Sequence, residues 1–155
     1  MHADHHFLHP RDPLGRPLPK GAADQMPKRR VPDETISSTS AALDIAVPLF
    51  EEQRFFEAHE FFEHIWKLED VAQRDRDFWK GLTQVAAAYC HVQRNNLTGA
   101  VTLLGRAAQL LAKYPSPHLG INVQRLLDDA KQVRARLGNG PSSSVTFPRF
   151  PRVLH

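Results

Sequence analysis

The stretch Glu57-Ala58-His59-Glu60-Phe61-Phe62-Glu63-His64-Ile65-Trp66 sets two histidines and three carboxylates among aromatic side chains, with no proline or glycine to break a helix. Apolar residues recur at spacings of three and four from Phe55 through Ala58, Phe62, Ile65 and Trp66, which is the period of an amphipathic α-helix. The reading places this helix at Phe55 to Glu69. It lies within a proline-free interval from Leu49 to Tyr114, so the middle of the chain is expected to be helical throughout.

Neighbouring segments extend the pattern. Ser38 to Gln53 begins with Ser/Thr capping residues and carries Ala42, Leu43, Ile45, Ala46, Leu49 and Phe50 at helical spacing. Pro48 within it predicts a kink or a restart, because an interior proline loses a hydrogen bond and clashes one turn back. Arg76 to Arg94 and Leu97 to Lys113 read as two further helices, separated by Asn95-Asn96, a natural stop because asparagine tolerates the left-handed conformation. A fifth runs from about Gly120 to Leu137 and ends at Gly138-Asn139-Gly140. No strand is read. The expected fold is all-α, a compact bundle of about five helices built from antiparallel hairpins, with extended Pro-rich tails at both ends.

Composition divides the chain at the same places. Six of the twelve prolines lie in residues 1–32 and three in residues 138–155. The expected organisation is a Pro/Gly-rich N-terminal arm at 1–33, a helical domain at 34–137 and an extended C-terminal tail at 138–155. The repeated triplet Phe147-Pro148-Arg149 and Phe150-Pro151-Arg152 suits a polyproline-like segment laid over a surface. At 155 residues with 41% hydrophobic side chains, one soluble domain can bury a core.

The formal charge of +3 is unevenly spread, with +3 on residues 1–32, +2 on residues 138–155 and −2 on the helical part. A nucleic-acid-binding face needs clustered Lys and Arg on the folded surface, so no nucleic-acid partner is expected; Lys28-Arg29-Arg30 is the only compact basic cluster. The uncharged run from Gly81 to Gln93 is too short to span a bilayer. The N-terminus has no basic flank followed by an apolar stretch, which points to a cytoplasmic protein. Cys90, the single cysteine, reads as a small buried side chain.

Helical projection separates the polar groups of the opening stretch. At about 100° per residue from Phe55, the residues Ala58, Phe62, Ile65, Trp66 and Phe56 span an arc from about 280° through zero to about 100°. His59, at about 40°, and Glu63, at about 80°, fall inside the arc as a neighbouring i,i+4 pair. Glu60 lies at its margin, whereas Glu57 and His64 are expected in water. On the next helix, Phe78, Leu82, Val85, Ala86, Tyr89 and Val92 read as core. Gly81, Gln84, Ala88, His91 and Asn95 form a stripe of small and neutral polar groups that lets another helix approach. A buried carboxylate is costly without partners, so an inward Glu63 would call on His59, His91 or Gln84. The candidate polar pocket is therefore His59, Glu60, Glu63, Gln84, His91 and Asn95.

These residues resemble a known family. Glu57-Ala58-His59-Glu60, Glu63 and Trp66, then Phe78-Trp79, Gly81-Leu82, Gln84, Ala86-Ala87, His91, Asn95 and Gly99-Ala100, form a pattern similar to that of the bacterial and archaeal domain of unknown function 309. Arg11-Asp12-Pro13-Leu14-Gly15-Arg16-Pro17-Leu18-Pro19, Tyr114-Pro115 and Leu119-Gly120 look like features of one branch of it. The resemblance implies a small all-helical fold and no established activity.

Two classes of function are open. The first is a non-catalytic interaction or structural module whose buried His/Glu network fixes helix register, with the tails reaching a protein partner or a second copy of the chain. Gly99-Ala100 is reminiscent of tetratricopeptide repeats, yet Ala58 and Ala100 lie 42 positions apart where that repeat needs about 34. The alternative is a metal- or small-ligand-binding protein, including a metal-dependent hydrolase, with a divalent ion held between the second and third helices by His59, Glu63 and His91. Well-defined motifs do not support it. His-Glu-x-x-His would need histidine where Glu63 stands, and the inverted His-x-x-Glu-His would need it in place of Glu60. The paired Glu-x-x-His of di-iron bundles meets Glu60 and Glu63 instead of histidines. His2, His5, His6 and His9 form a His-rich terminal tract without a scaffold. Whether the chain is an enzyme is left open by its sequence.

Overall fold

The structure is a computed structural model, described here for residues 30–138 and 145–153. The expectations for most of the N-terminal arm, including its histidine tract, Lys28 and Arg29, lie outside the described residues. Among the described residues five α-helices follow one another: α1 Thr39–Glu51, α2 Phe55–Trp66, α3 Arg76–Gln93, α4 Leu97–Leu111 and α5 Val123–Leu137, with a 3-10 turn at Gln73–Asp75 before α3. Each packs chiefly on the next in the chain, with α3 central between α2 and α4. Among the described residues there is no strand, and no helix is long and apolar enough to cross a membrane.

The helix ends follow from local chemistry. Ser38, Asn96 and Asn122 cap α1, α4 and α5 by accepting the N–H groups of Ala41, Gly99 and Arg125. α1 and α3 close with the same paired motif. Gln53 and Asn95 take the left-handed conformation, each at φ 61°, and their N–H groups bond Phe50 and Val92. The following Arg54 and Asn96 then reach back to Leu49 and His91. α2 stops at Trp66, three residues before the expected Glu69, because the Arg76 guanidinium takes the carbonyls of Trp66 and Leu68. α5 starts at Val123 instead of about Gly120 because Leu119 and Gly120 sit at φ 50° and 77° in the tight turn His118 to Ile121, where a helix cannot form.

Pro48 does not restart α1, which runs unbroken to Glu51. Both Pro48 and Asp44, whose carbonyl loses its partner, are exposed, so water can take the lost bond.

The core agrees with the reading of α3: Phe78, Leu82, Val85, Ala86, Tyr89 and Val92 are all buried, as is Cys90. Gly81 receives α4 closely, since a Cβ there would lie 2.8 Å from Leu111 Cγ. The C-terminal segment completes the core, with Phe150 buried in it and Phe147 packed against it.

Candidate functional site

Residues 57 to 66 face three surroundings, and the faces differ from those projected. Phe55, Glu57, Ala58, Glu60, Phe61, Phe62 and Ile65 are buried, while Phe56, His59, Glu63 and Trp66 lie on the half-exposed flank. The projected arc counted Phe56 and Trp66 as core and left out Phe61. With Phe61 included, at about 240°, the apolar face turns away from His59 and Glu63 and toward Glu57.

Glu57, expected in water, is 1% exposed. Its carboxylate takes Arg54 Nε and Nη2, each at 2.8 Å, and the backbone N–H of Arg30 at 2.6 Å. The pair is bidentate, and Glu57 stands in the first turn of α2, where the helix dipole favours an anion. His64, also expected in water, donates from Nε2 to the Ile36 carbonyl at 2.5 Å. Glu57 and His64 lie seven positions apart, about two helical turns, and together hold the segment preceding α1 against α2.

The expected inward pair is not one. Glu63 has a side chain 30% exposed and pairs along the surface with Lys67 at 3.6 Å. His59 Nδ1 donates to the Phe56 carbonyl at 2.9 Å, with its ring 5.2 Å from that of Phe56. Glu60, read as marginal, is buried. On α3, Gln84 is half-buried, with its Oε1 unbonded, and Asn95 is exposed as the left-handed residue ending the helix. His91 accepts at Nδ1 from Asn96 Nδ2 at 3.0 Å, and Asn96 Oδ1 meanwhile caps α4. Burial, then the Arg94 guanidinium and the His59 imidazole, hold His91 below the ordinary histidine range. His59 and His91 thus lie within electrostatic reach of each other, while Glu63 is paired with Lys67. Among the described residues no three His, Cys, Asp or Glu side chains converge as a metal would require, so the divalent-ion alternative is not favoured.

A second cluster lies at the other end of α3. The Tyr114 hydroxyl accepts the Phe78 N–H and donates to the Arg74 carbonyl. Asp75, itself buried, takes His118 Nε2 at 2.9 Å. The His118 ring stands 4.9 Å from those of both Phe78 and Tyr114. Asp75 and Trp79 also border a shallow cleft of about 500 Å³ between the start of α1 and Arg152.

The third arrangement is a groove across α1, α2 and α3 occupied by the C-terminal segment. The Phe147 ring lies 4.9 Å from Phe55 and 5.5 Å from Tyr89, and the Phe150 ring 5.4 Å from Phe50 and 5.7 Å from Phe62, stacked on the latter. Glu51 takes Arg149 Nη2 at 2.7 Å and the Phe150 N–H at 2.8 Å. The Arg149 hydrogen bond holds Glu51 below the usual carboxylate range against the opposing effect of burial, with smaller help from the Phe150 N–H and the Arg149 charge. Beyond Phe150, the Asn122 N–H bonds the Pro151 carbonyl and the Val153 N–H bonds Gly120, both at 2.8 Å.

Sequence reasoning missed Glu57, His64, Asp75, His118 and Glu51. The signal for Glu57 was present in Arg54 three residues earlier and in its place in the first helical turn. Asp75 and His118, 43 positions apart, left no local signal.

These features define a small all-helical domain organised around a polar α2–α3 hairpin. Its residues 43–103 match the family described as "Domain of unknown function (DUF309)", a range that takes in every motif residue from Glu57 to Ala100. The resemblance read from those residues therefore holds. The chain is also 33% identical over 90 residues to the uncharacterized protein YpuF of Bacillus subtilis (strain 168), a match covering 57% of this chain and 51% of that protein. The chain thus spans about half the length of this curated relative. No solved structure matches it.

Proposed function

We propose that the chain is a non-catalytic helical interaction module working in the cytoplasm, whose polar motif builds the binding surface instead of performing chemistry. The observation that carries this reading is the commitment of Glu57, the most buried carboxylate of the motif, to Arg54 and the Arg30 N–H. Those three donors take three of the roughly four lone-pair sites of the carboxylate and leave little for a proton or a metal ion. One ring nitrogen of His64 is likewise engaged by the Ile36 carbonyl and one of His91 by the Asn96 amide. Of the candidate pocket, His59, Glu60, Gln84 and His91 then act as register-fixing polar groups between α2 and α3, supported by the electrostatic reach between His59 and His91, while Glu63 and Asn95 stay at the surface. The net −2 of the helical part favours a basic protein segment as partner over nucleic acid.

Elemental analysis of the chain purified without tag or chelator, repeated on His59→Ala and Glu63→Ala, tests the reading. The expected result is no stoichiometric metal in any of the three. Stoichiometric metal in the wild-type chain, lost with either substitution, would return the metal-site alternative.

A further inference from the structure

The groove that holds residues 145–153 has the parts of a peptide-recognition site. Its ring-binding residues, Phe50, Phe55, Phe62 and Tyr89, all belong to α1, α2 and α3, so the surface is built without the segment that fills it. The occupant seats side chains three positions apart, at Phe147 and Phe150, which is the repeat of an extended polyproline-type chain, and Pro148 and Pro151 suit that conformation. Glu51 reads an arginine side chain and a backbone N–H together. The Asn122 N–H and Gly120 carbonyl then fix the direction of the main chain. The sequence between α5 and the segment, Gly138-Asn139-Gly140-Pro141-Ser142-Ser143-Ser144, contains no aromatic or long aliphatic residue.

We propose that this groove recognises an extended segment of a partner protein bearing two aromatic side chains three residues apart with an arginine immediately before the second, and that residues 145–153 are its resting occupant. The proposal deepens the reading of the chain as an interaction module and rests on it. Charge complementarity supports the choice of occupant: the helical part carries −2, the tail +2, and the Arg149 side chain, 87% exposed, meets Glu51 at the rim. An occupant tethered in cis competes at an effective concentration of about millimolar, so a free segment of equal strength binds weakly until the tether's grip is loosened.

The test uses a labelled peptide of residues 145–153 and the full-length chain. It is titrated into wild type and into Phe147→Ala/Arg149→Ala, whose substitutions fall on half-buried and exposed side chains and leave no charge at 149 to re-pair with residue 51, with circular dichroism confirming the helical fold. The opened variant is expected to bind the peptide about tenfold more tightly than wild type. Adding Glu51→Arg to the opened variant is expected to abolish that gain, and a peptide carrying Arg149→Glu to restore it. Equal binding to wild type and opened variant, or no recovery on charge reversal, would overturn the proposal, as would loss of helicity in the opened variant, which would make the segment an inseparable part of the core. Light scattering that finds wild type dimeric at the titration concentrations would assign the groove to a second copy and overturn the partner assignment. None of these outcomes yields bound metal, so failure here is distinguishable from failure of the module reading.

Discussion

Tyr114 caps α3 from outside the helix: its hydroxyl accepts the Phe78 N–H at 3.0 Å and donates to the Arg74 carbonyl at 2.6 Å. Asp75, at the capping position itself, makes no side-chain cap and is left for His118. One hydroxyl thereby ties the end of α4 to the start of α3. Tyr114→Phe keeps the ring contacts with Phe78 and His118 and removes the two hydrogen bonds. We expect a loss of about 1–2 kcal/mol in urea denaturation, the cost of a missing helix cap. A change below about 0.3 kcal/mol would show that water replaces the hydroxyl at no cost.

The close approach of α4 to α3 makes Gly81 intolerant of a side chain. A Cβ would stand 2.8 Å from Leu111 Cγ and 3.0 Å from Cδ2, and Leu111 is fully buried with little room to move. Gly81→Ala is expected to lower stability by about 1–2 kcal/mol, since overpacking exceeds the helix-propensity gain of about 1 kcal/mol. Thermal denaturation of the single variant measures the sign directly.

Gln53 presents the opposite case. It is exposed and holds φ 61°, a conformation that costs a side-chain-bearing residue about 1–2 kcal/mol. Its carbonyl, which accepts Gln93 Nε2 at 2.9 Å, is unaffected by the side chain. Gln53→Gly is expected to raise stability by about 0.5–1 kcal/mol, after allowing for the greater freedom of glycine in the unfolded chain. An unchanged or lower urea midpoint would contradict the closing motif described for α1.

His91 predicts a pH dependence with a definite sign. Its folded value is depressed below the ordinary 6.5 by burial, Arg94 and His59, so the unfolded chain takes up its proton first as pH falls. The associated stability is present above about 6.5 and lost as pH descends through the folded value. The urea midpoint should drop between about pH 7.5 and about pH 5.5, and drop less in His91→Gln. Equal drops in the two proteins would show that His91 carries none of the dependence.

The helices were legible because their period and punctuation are local. The Asn95 stop, the α3 core face from Phe78 to Val92 and the buried Cys90 all agree with the structure. What sequence could not supply was the side of α2 that faces the core. Phe56 and Trp66 are as apolar as Phe61, and only contact with the rest of the molecule leaves the first two half-exposed and buries the third. The error moved the whole polar motif by part of a turn, giving His59 and Glu63 the burial that belongs to Glu57 and Glu60. The docking of Phe147 and Phe150 was foreshadowed by their spacing, but Glu51 as the acceptor of Arg149, 98 residues away, was not.

The central claim is that the charged motif serves as a clasp centred on Glu57. Urea denaturation of Glu57→Gln beside Glu63→Gln tests it most directly. Because Arg54 is partly exposed, the loss expected for Glu57→Gln is about 2–3 kcal/mol, below the cost of breaking a fully buried pair. Glu63→Gln, which loses only a surface pair with Lys67, should stay within about 0.5 kcal/mol of wild type. A small effect at Glu57 together with a large one at Glu63 would contradict the account and restore the inward His59 and Glu63 pair.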